Sequence, residues 1–447
     1  MASAGRSRYW GLLTGPQVIV LSFVLTIAVG TVLLSLPLAS ATGQSIGLLD
    51  AYFTASSATC VTGLVVLDTG ADFSLFGQLV ILLLIQVGGL GLMAMTTLVF
   101  LVMGRRITLR SRLLIQESFG QSQLAGLVRL IKSIFLFTLA SEAVGAVILT
   151  LRFLPEMPTG EAVYKGIFHS VSAFCNAGFD LFGDSLVRYA ADPVVVMVVS
   201  ILVIAGGLGF PVLRNLINRR QNGRLTLHSK VVIRTSIVLL ALGFGLVLAL
   251  EWGNPATIGA LPEHGKVLAA WFTSVTPRTA GFNTLPTAML TNTTLLVLMV
   301  FMLIGASPGG TGGGIKTTTF WMMLQSVFTT IRGRREITSN GRSVPRELAD
   351  RAVAIVVMSL GLIALVTGVL LVTERAGPLA VLFETVSAFG TVGLSLGLTP
   401  ELSVVGRILV PLTMLAGRVG PFTLVVALNS QRSTADVHLP EERILVG

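Results

Sequence analysis

Val171-Ser172-Ala173-Phe174-Cys175-Asn176-Ala177-Gly178-Phe179 and Val386-Ser387-Ala388-Phe389-Gly390-Thr391-Val392-Gly393-Leu394 open on the same four residues and close on a glycine followed by an apolar residue. Two further stretches, Ser56-Ser57-Ala58-Thr59-Cys60-Val61-Thr62-Gly63-Leu64 and Ser274-Val275-Thr276-Pro277-Arg278-Thr279-Ala280-Gly281-Phe282, align with them without gaps. An aromatic precedes each glycine by ten residues: Phe53 before Gly63, Phe168 before Gly178, Trp271 before Gly281 and Phe383 before Gly393. One such stretch reads as a helix-to-helix turn using glycine. Four in one register are an internal repeat whose unit is span, re-entrant loop, span.

The flanks of these loops are membrane-like. Of 447 residues, 53% are hydrophobic and only 12% charged, against about 25% charged in soluble domains. Apolar runs of the roughly 20 residues that a bilayer requires occur near 18 to 38, 76 to 103, 127 to 153, 193 to 217, 231 to 251, 293 to 331, 352 to 373 and 403 to 429. The first run is longer than a signal peptide's apolar segment. The net charge of +10 follows the spans: 22 of the 31 Lys and Arg residues fall in the N-terminus, in segments 104 to 132, 214 to 234 and 332 to 351, and in the tail. By the positive-inside rule both termini are cytoplasmic, and topology accounts for the charge without nucleic acid. The basic segments suit anionic lipid. The expected fold is an all-α integral membrane protein: eight transmembrane helices as four span/pore-loop/span repeats around one pseudo-fourfold pore. Its parts are a cytoplasmic N-terminus (1–17), repeats at 18–103, 127–217, 231–331 and 352–429, and a cytoplasmic tail (430–447).

A non-helical backbone at membrane depth presents carbonyl oxygens, and a ring of them can replace the hydration shell of a monovalent cation. The residues placed on that ring are Val61, Thr62, Gly63 and Leu64; Asn176, Ala177, Gly178 and Phe179; Thr279, Ala280, Gly281 and Phe282; and Thr391, Val392, Gly393 and Leu394. The fourth set reproduces the Thr-Val-Gly start of the TVGYG potassium-channel filter. A second glycine pattern lies in the later spans, at Gly88-Gly89-Leu90-Gly91, Gly206-Gly207-Leu208-Gly209 and Gly417-Arg418-Val419-Gly420. It reads as close helix packing. The third unit instead carries Gly305-Ala306-Ser307-Pro308-Gly309-Gly310-Thr311-Gly312-Gly313-Gly314, which cannot continue a helix and reads as an unwound loop lining a cavity.

On these loops and glycines the chain resembles the Trk/Ktr/HKT superfamily of potassium uptake proteins over essentially its whole length, most closely the KtrB-type membrane subunit. The resemblance implies potassium uptake across the cytoplasmic (inner) membrane, a homodimer with one pore per chain, and sodium activation. It implies control by a cytosolic ring of nucleotide-binding (RCK-type) subunits, so that ATP or ADP acts only through a partner. It identifies the run from Gly305 to Lys316 as a gating loop and Arg418 as a basic residue below the filter. Glycine in all four loops, Gly63 included, favours potassium, since some plant relatives with serine in the first loop select sodium.

Other residues leave choices open. Arg418 lies mid-span, where a charge is costly, and reads as an electrostatic barrier touching the gating loop rather than as a snorkelling side chain. Lys316 is either a second barrier element or an interfacial anchor. Arg278 departs from the other loops and either braces the outer loop or tunes ion access. Glu142 and Glu384 are buried carboxylates suited to structural hydrogen bonds or to an ion. Cys60 and Cys175 occupy equivalent positions and read as small pore-wall residues. Asn292-Thr293-Thr294 is a formal glycosylation sequon. The apolar tail Ile444-Leu445-Val446 suits a dimer contact. Ile315 separates Gly314 from Lys316, so the phosphate-binding GK[ST] pattern fails, and no dinucleotide fingerprint or covalent cofactor site is legible. A secondary transporter built on broken helices is the main alternative; an enzyme lacks a convergent catalytic constellation.

Overall fold

The computed structural model describes residues 14–91, 127–218, 224–334, 336–339 and 342–428. Residues 1–13, the end of the second expected span (92–103), basic segment 104–126, Arg219, Arg220, Arg335 and the tail from 429 onward lie outside the described residues.

The described residues are mostly helical, apart from the connecting loops and a short antiparallel hairpin, β1 (Ile337–Ser339) with β2 (Arg342–Val344), which the all-helical expectation did not include. Each unit opens on a long helix: α1 (Gly15–Ser35), α4 (Leu127–Phe153), α8 (Leu227–Glu251) and α12 (Arg346–Thr373). Among the described residues, these four contain the single helices long and apolar enough to cross a bilayer, and two bent helix pairs are so when each is taken as one span. Leu25 and Val32 of α1, Val357 and Val372 of α12 are exposed, as lipid-facing side chains are. The protein is therefore an integral membrane protein.

A short helix follows each long one: α2 (Leu48–Cys60), α5 (Thr159–Phe174), α9 (Glu263–Val275) and α13 (Pro378–Gly390). Lipid tails are as apolar as leucine, so burial alone cannot hold these helices; small side chains that permit close approach can. In α2 every residue from Phe53 to Cys60 is buried, and so is every residue from Phe383 to Gly390 in α13. The repeat's marker aromatics Phe53, Phe168 and Phe383 are fully buried anchors, whereas Trp271 is partly exposed.

The later helices are α3 (Leu75–Leu90), α6 (Pro193–Leu208), α10 (Asn292–Leu303) and α14 (Val404–Val419), and each begins on a cap. Ser74, Asp192, Thr291 and Ser403 accept backbone N–H groups of the first turn, worth about 1 kcal/mol apiece. In the third and fourth units a glutamate grips the cap as well: Glu251 accepts the N–H and O–H of Thr291 at 2.9 and 2.8 Å, and Glu374 those of Ser403 at 2.8 and 2.6 Å.

The expected straight spans 193 to 217 and 403 to 429 are broken. α6 turns by 101° into α7 (Phe210–Ile217), and α14 by 97° into α15 (Pro421–Leu428). The hinges Gly209 and Gly420 have φ of +89° and +94°, and Gly91 at the end of α3 has +84°. That region favours glycine. Pro211 and Pro421 follow at the start of the next helix, where a proline fits but cannot extend the preceding turn. The last glycine of each pattern is thus a breaker, not only a packing residue. α11 (Thr317–Ile331) resumes the third unit after a non-helical run, as its glycines require.

Four apolar clusters join the units in a closed order. One combines Ile81 and Ile85 with Phe168; a second, Phe174 with Phe272 and Phe282; a third, Met302 with Phe389; a fourth, Phe23 and Phe53 with Leu370 and Met414. An ion pair at 2.5 Å, Arg407 to Asp50, ties the fourth unit to the first.

Candidate cation pathway

All four loops adopt one backbone conformation. Two residues before each glycine, Val61, Asn176, Thr279 and Thr391 have φ of +57°, +60°, +67° and +51°. Gly63, Gly178, Gly281 and Gly393 follow at +91°, +71°, +78° and +94°. For a non-glycine residue the left-handed region costs roughly 1–2 kcal/mol, so these positions persist only where surrounding bonds over-determine them.

Those bonds come from the short helices. The amides of Thr62, Ala177, Ala280 and Val392 donate to the carbonyls of Ser57, Ser172, Thr276 and Ser387 at 2.8, 2.8, 2.9 and 2.9 Å. The same four hydroxyls hold the next residues. Ser57 and Ser387 accept from the amides of Gly63 and Gly393, both at 3.1 Å. Ser172 donates to the Phe179 carbonyl at 2.8 Å and Thr276 to that of Phe282 at 2.5 Å. Sequence reading missed this role, although the signal was present in the hydroxyl residues just upstream of each glycine.

The four glycines meet at one place. A Cβ on Gly178 would stand 2.7 Å from the Gly281 Cα, and one on Gly63 would stand 2.5 Å from the Ala177 carbonyl oxygen. On Gly281 it would approach the Val392 carbonyl at 2.7 Å, and on Gly393 it would collide with that of Thr62. Carbonyls preceding each glycine therefore stand around a shared centre. Beyond it opens a cavity of about 520 Å³ lined by the four glycines with Asp180 and Asp184. Burial, reinforced by Asp68 and Asp184, raises the pKa of Asp180 in this outer loop, against two backbone N–H donors, Phe182 and Gly183.

On the opposite side the third unit's non-helical run packs directly against the loops. Thr311 Oγ1 donates to Asn176 Oδ1 at 2.9 Å, and the Gly313 amide donates to Thr391 Oγ1 at 3.0 Å. Between them, a Cβ on Gly312 would overlap Thr279 Oγ1. The amides of Ser307 and Thr311 donate to the carbonyls of Gly207 and Gly206, that of Gly314 to Gly417, and the Phe210 amide to the Gly309 carbonyl. Gly305 and Ala306 pair back with Ile315 and Gly313, while Pro308 and Gly310 complete the turn.

Two cations hold this run. Lys316 Nζ donates to the Gly312 carbonyl at 2.7 Å and to that of Gly313 at 3.4 Å. Arg418 donates to the carbonyls of Thr311 and Gly88, which links the fourth, third and first units. A cavity of about 160 Å³ lies beneath, lined by Lys316, Arg351, Arg418 and Phe422.

The first glycine of each later-helix pattern permits contact between that helix and the short helix of the same unit. A Cβ on Gly88, Gly206 or Gly417 would overlap the carbonyl of Thr59, Phe174 or Phe389, each four residues before its loop glycine. Cys60 and Cys175 are wholly buried, and Cys175 packs against Gly89, Gln86 and Glu142. Glu142 accepts from Gln86 at 3.3 Å, and Glu384 accepts from Ser395 and Thr399. Arg278 does not face the outer cavity; its guanidinium lies between α6, α8 and α9, 3.4 Å from Ser236. Among the described residues there is no group of three or more His, Cys, Asp or Glu arranged to hold a metal ion.

Residues 14–435 match the family model described as TrkH, cation transport protein. The chain is 40% identical over 438 residues to Ktr system potassium uptake protein B of Bacillus subtilis, covering 98% of each chain. It is 38% identical to potassium/sodium uptake protein NtpJ of Enterococcus hirae, over 96% of this chain and 97% of that protein. The crystal structure of the potassium transporter TrkH from Vibrio parahaemolyticus superposes with a TM-score of 0.71 at 19% identity, covering 91% of this chain and 84% of that one.

Proposed function

The chain belongs to the TrkH family of cation transport proteins, and we propose that it takes up potassium through a single pseudo-fourfold pore enclosed by eight transmembrane helices. Potassium is its substrate, coordinated by backbone carbonyls of the four loops. The observation that carries this reading is the convergence of Gly63, Gly178, Gly281 and Gly393, with the carbonyls before them around one centre. Four short helices ending at these loops turn their negative dipole ends inward, which favours a cation over an anion.

The run from Gly305 to Lys316 is the gate, held shut in this arrangement. It stands directly below the loops, and Lys316 and Arg418 place two positive charges on the path of a departing cation. Opening requires the run to release Asn176, Thr391 and Arg418. A cytosolic RCK-type ring binding ATP or ADP supplies that control, sodium activates, and the working unit is a homodimer in the cytoplasmic membrane with both termini inside. The names of the Bacillus and Enterococcus relatives support potassium as substrate and a link to sodium.

Cation binding to the purified chain tests the filter independently of the gate. Calorimetric titration with potassium chloride should give saturable heat that sodium chloride does not reproduce at equal concentration. Equal responses to the two salts, or none to potassium from folded protein, would defeat the reading.

A further inference from the structure

Two short helices carry a polar side chain nine residues before the loop glycine: His169 in the second unit and Glu384 in the fourth. The equivalent positions in the first and third units are Thr54 and Phe272. His169 and Glu384 are 1% and 0% exposed.

Both reach forward to the segment just past the glycine. Glu384 Oε2 accepts from Ser395 Oγ at 2.8 Å, and Oε1 accepts from the Thr399 hydroxyl. Ser395 Oγ in turn accepts the Gly397 amide at 3.0 Å, and Ser395, Gly397 and Thr399 all line the outer cavity. His169 Nε2 accepts the Leu181 amide at 3.3 Å, while Nδ1 lies 2.7 Å from the Lys165 carbonyl. Because a carbonyl can only accept, the proton sits on Nδ1 and the ring is the neutral tautomer that leaves Nε2 free to accept. Phe182 stacks on the same ring at 4.5 Å. Thr54 Oγ1 has no hydrogen-bond partner among the described residues, and Phe272 offers none.

We infer that Glu384 and His169 are positioning residues for ion selection, two latches in the second and fourth units that fix the outer ends of their loops and hence the spacing of the carbonyls. The inference rests on the filter reading above. Where a carbonyl ring tells ions of equal charge apart by the size of its cavity, its oxygens must hold their separation. Ser57 and Ser387 pin the first and fourth loops up to the glycine, and Ser172 and Thr276 pin the second and third up to the residue after it. At the outer ends, a buried carboxylate anchors two hydroxyls of the fourth unit and a buried imidazole anchors one amide of the second.

The test is the ratio of potassium to sodium flux in liposomes containing the full chain. Glu384→Leu removes both acceptors and should lower the ratio about fivefold, the effect of roughly one net hydrogen bond. Glu384→Gln can still accept from one hydroxyl and donate to the other, so its ratio should stay within about twofold of wild type. The double variant Ser395→Ala/Thr399→Val leaves the helix untouched and should match Glu384→Leu, which keeps the test decisive if that variant does not fold. An unchanged ratio in folded Glu384→Leu or in the double variant overturns the latch, as does a Gln variant as impaired as Leu. Gly393→Ser, measured in parallel, separates the two levels. If Gly393→Ser alone lowers the ratio, the latch fails and the filter stands; if Gly393→Ser changes nothing either, both fail.

Discussion

The Gly313 amide donates to Thr391 Oγ1 at 3.0 Å, joining the non-helical run of the third unit to a residue two positions before the fourth loop glycine. The same run touches the second unit through Thr311 and Asn176. The proposed gate and the proposed filter are therefore in direct contact, with no intervening cavity between Thr311 and Asn176 or between Gly313 and Thr391.

Thr311→Val keeps the side chain's shape but loses the hydroxyl that reaches Asn176 Oδ1 and the Phe174 carbonyl. Losing about 1 kcal/mol from the closed arrangement shifts a two-state gate roughly fivefold toward open. Basal potassium flux without any regulatory subunit should rise by that factor, with the potassium-to-sodium ratio preserved. Flux assays on the chain alone check both.

Arg418 spans two carbonyls, of Thr311 and Gly88, with separate nitrogens of one planar fork. A lysine offers a single point of donation and cannot reproduce that geometry. Arg418→Lys should retain the positive charge yet raise basal flux severalfold, and Arg418→Gln should raise it further. Equal flux in Arg418→Lys and wild type would mean that charge alone closes the path.

Gly417→Ala places a methyl group on the Phe389 carbonyl, whereas Gly361 in α12 faces open space. Overpacking of this kind costs about 1–3 kcal/mol. The melting temperature of the detergent-solubilised protein should drop in Gly417→Ala and hold or rise in Gly361→Ala.

Asp180 carries a raised pKa because it is buried in the outer loop beside Asp68 and Asp184. A raised value means that on acidification it takes up a proton at higher pH than an ordinary carboxylate. The outer cavity then loses negative charge that concentrates cations. Potassium uptake at limiting concentration should decline as external pH falls toward the carboxylate range. Asp180→Asn, which keeps an acceptor for the amides of Phe182 and Gly183, should show lower uptake at neutral pH and a flatter profile.

The loops were legible because the backbone shape they share demands glycine at one place and small or hydroxylated residues just before it. Gly63, Gly178, Gly281 and Gly393 announce that requirement in the sequence, and the six glycines from Gly305 to Gly314 announce a run that cannot be helical. The breaks at Gly209 and Gly420 were readable in principle from the prolines at 211 and 421, but continuous hydropathy across them masks a bend. Contacts such as Thr311 with Asn176, 135 positions apart, leave no local signature. The caps of Glu251 and Glu374 are equally silent, since a glutamate ending a span reads as an interfacial charge. Arg278 posed a choice that only its placement between α6, α8 and α9 narrows, by turning it away from the outer cavity.

Cation flux into liposomes holding the purified chain, potassium against sodium, for wild type and Gly63→Ser, tests the carbonyl filter most directly. The serine's Cβ would press on the Ala177 carbonyl at 2.5 Å from a backbone at φ +91°, so the ring must distort. Potassium-selective flux in wild type that becomes less selective in Gly63→Ser is the result predicted. Wild-type flux without preference between the ions, or selectivity unchanged by the serine in folded protein, would contradict it.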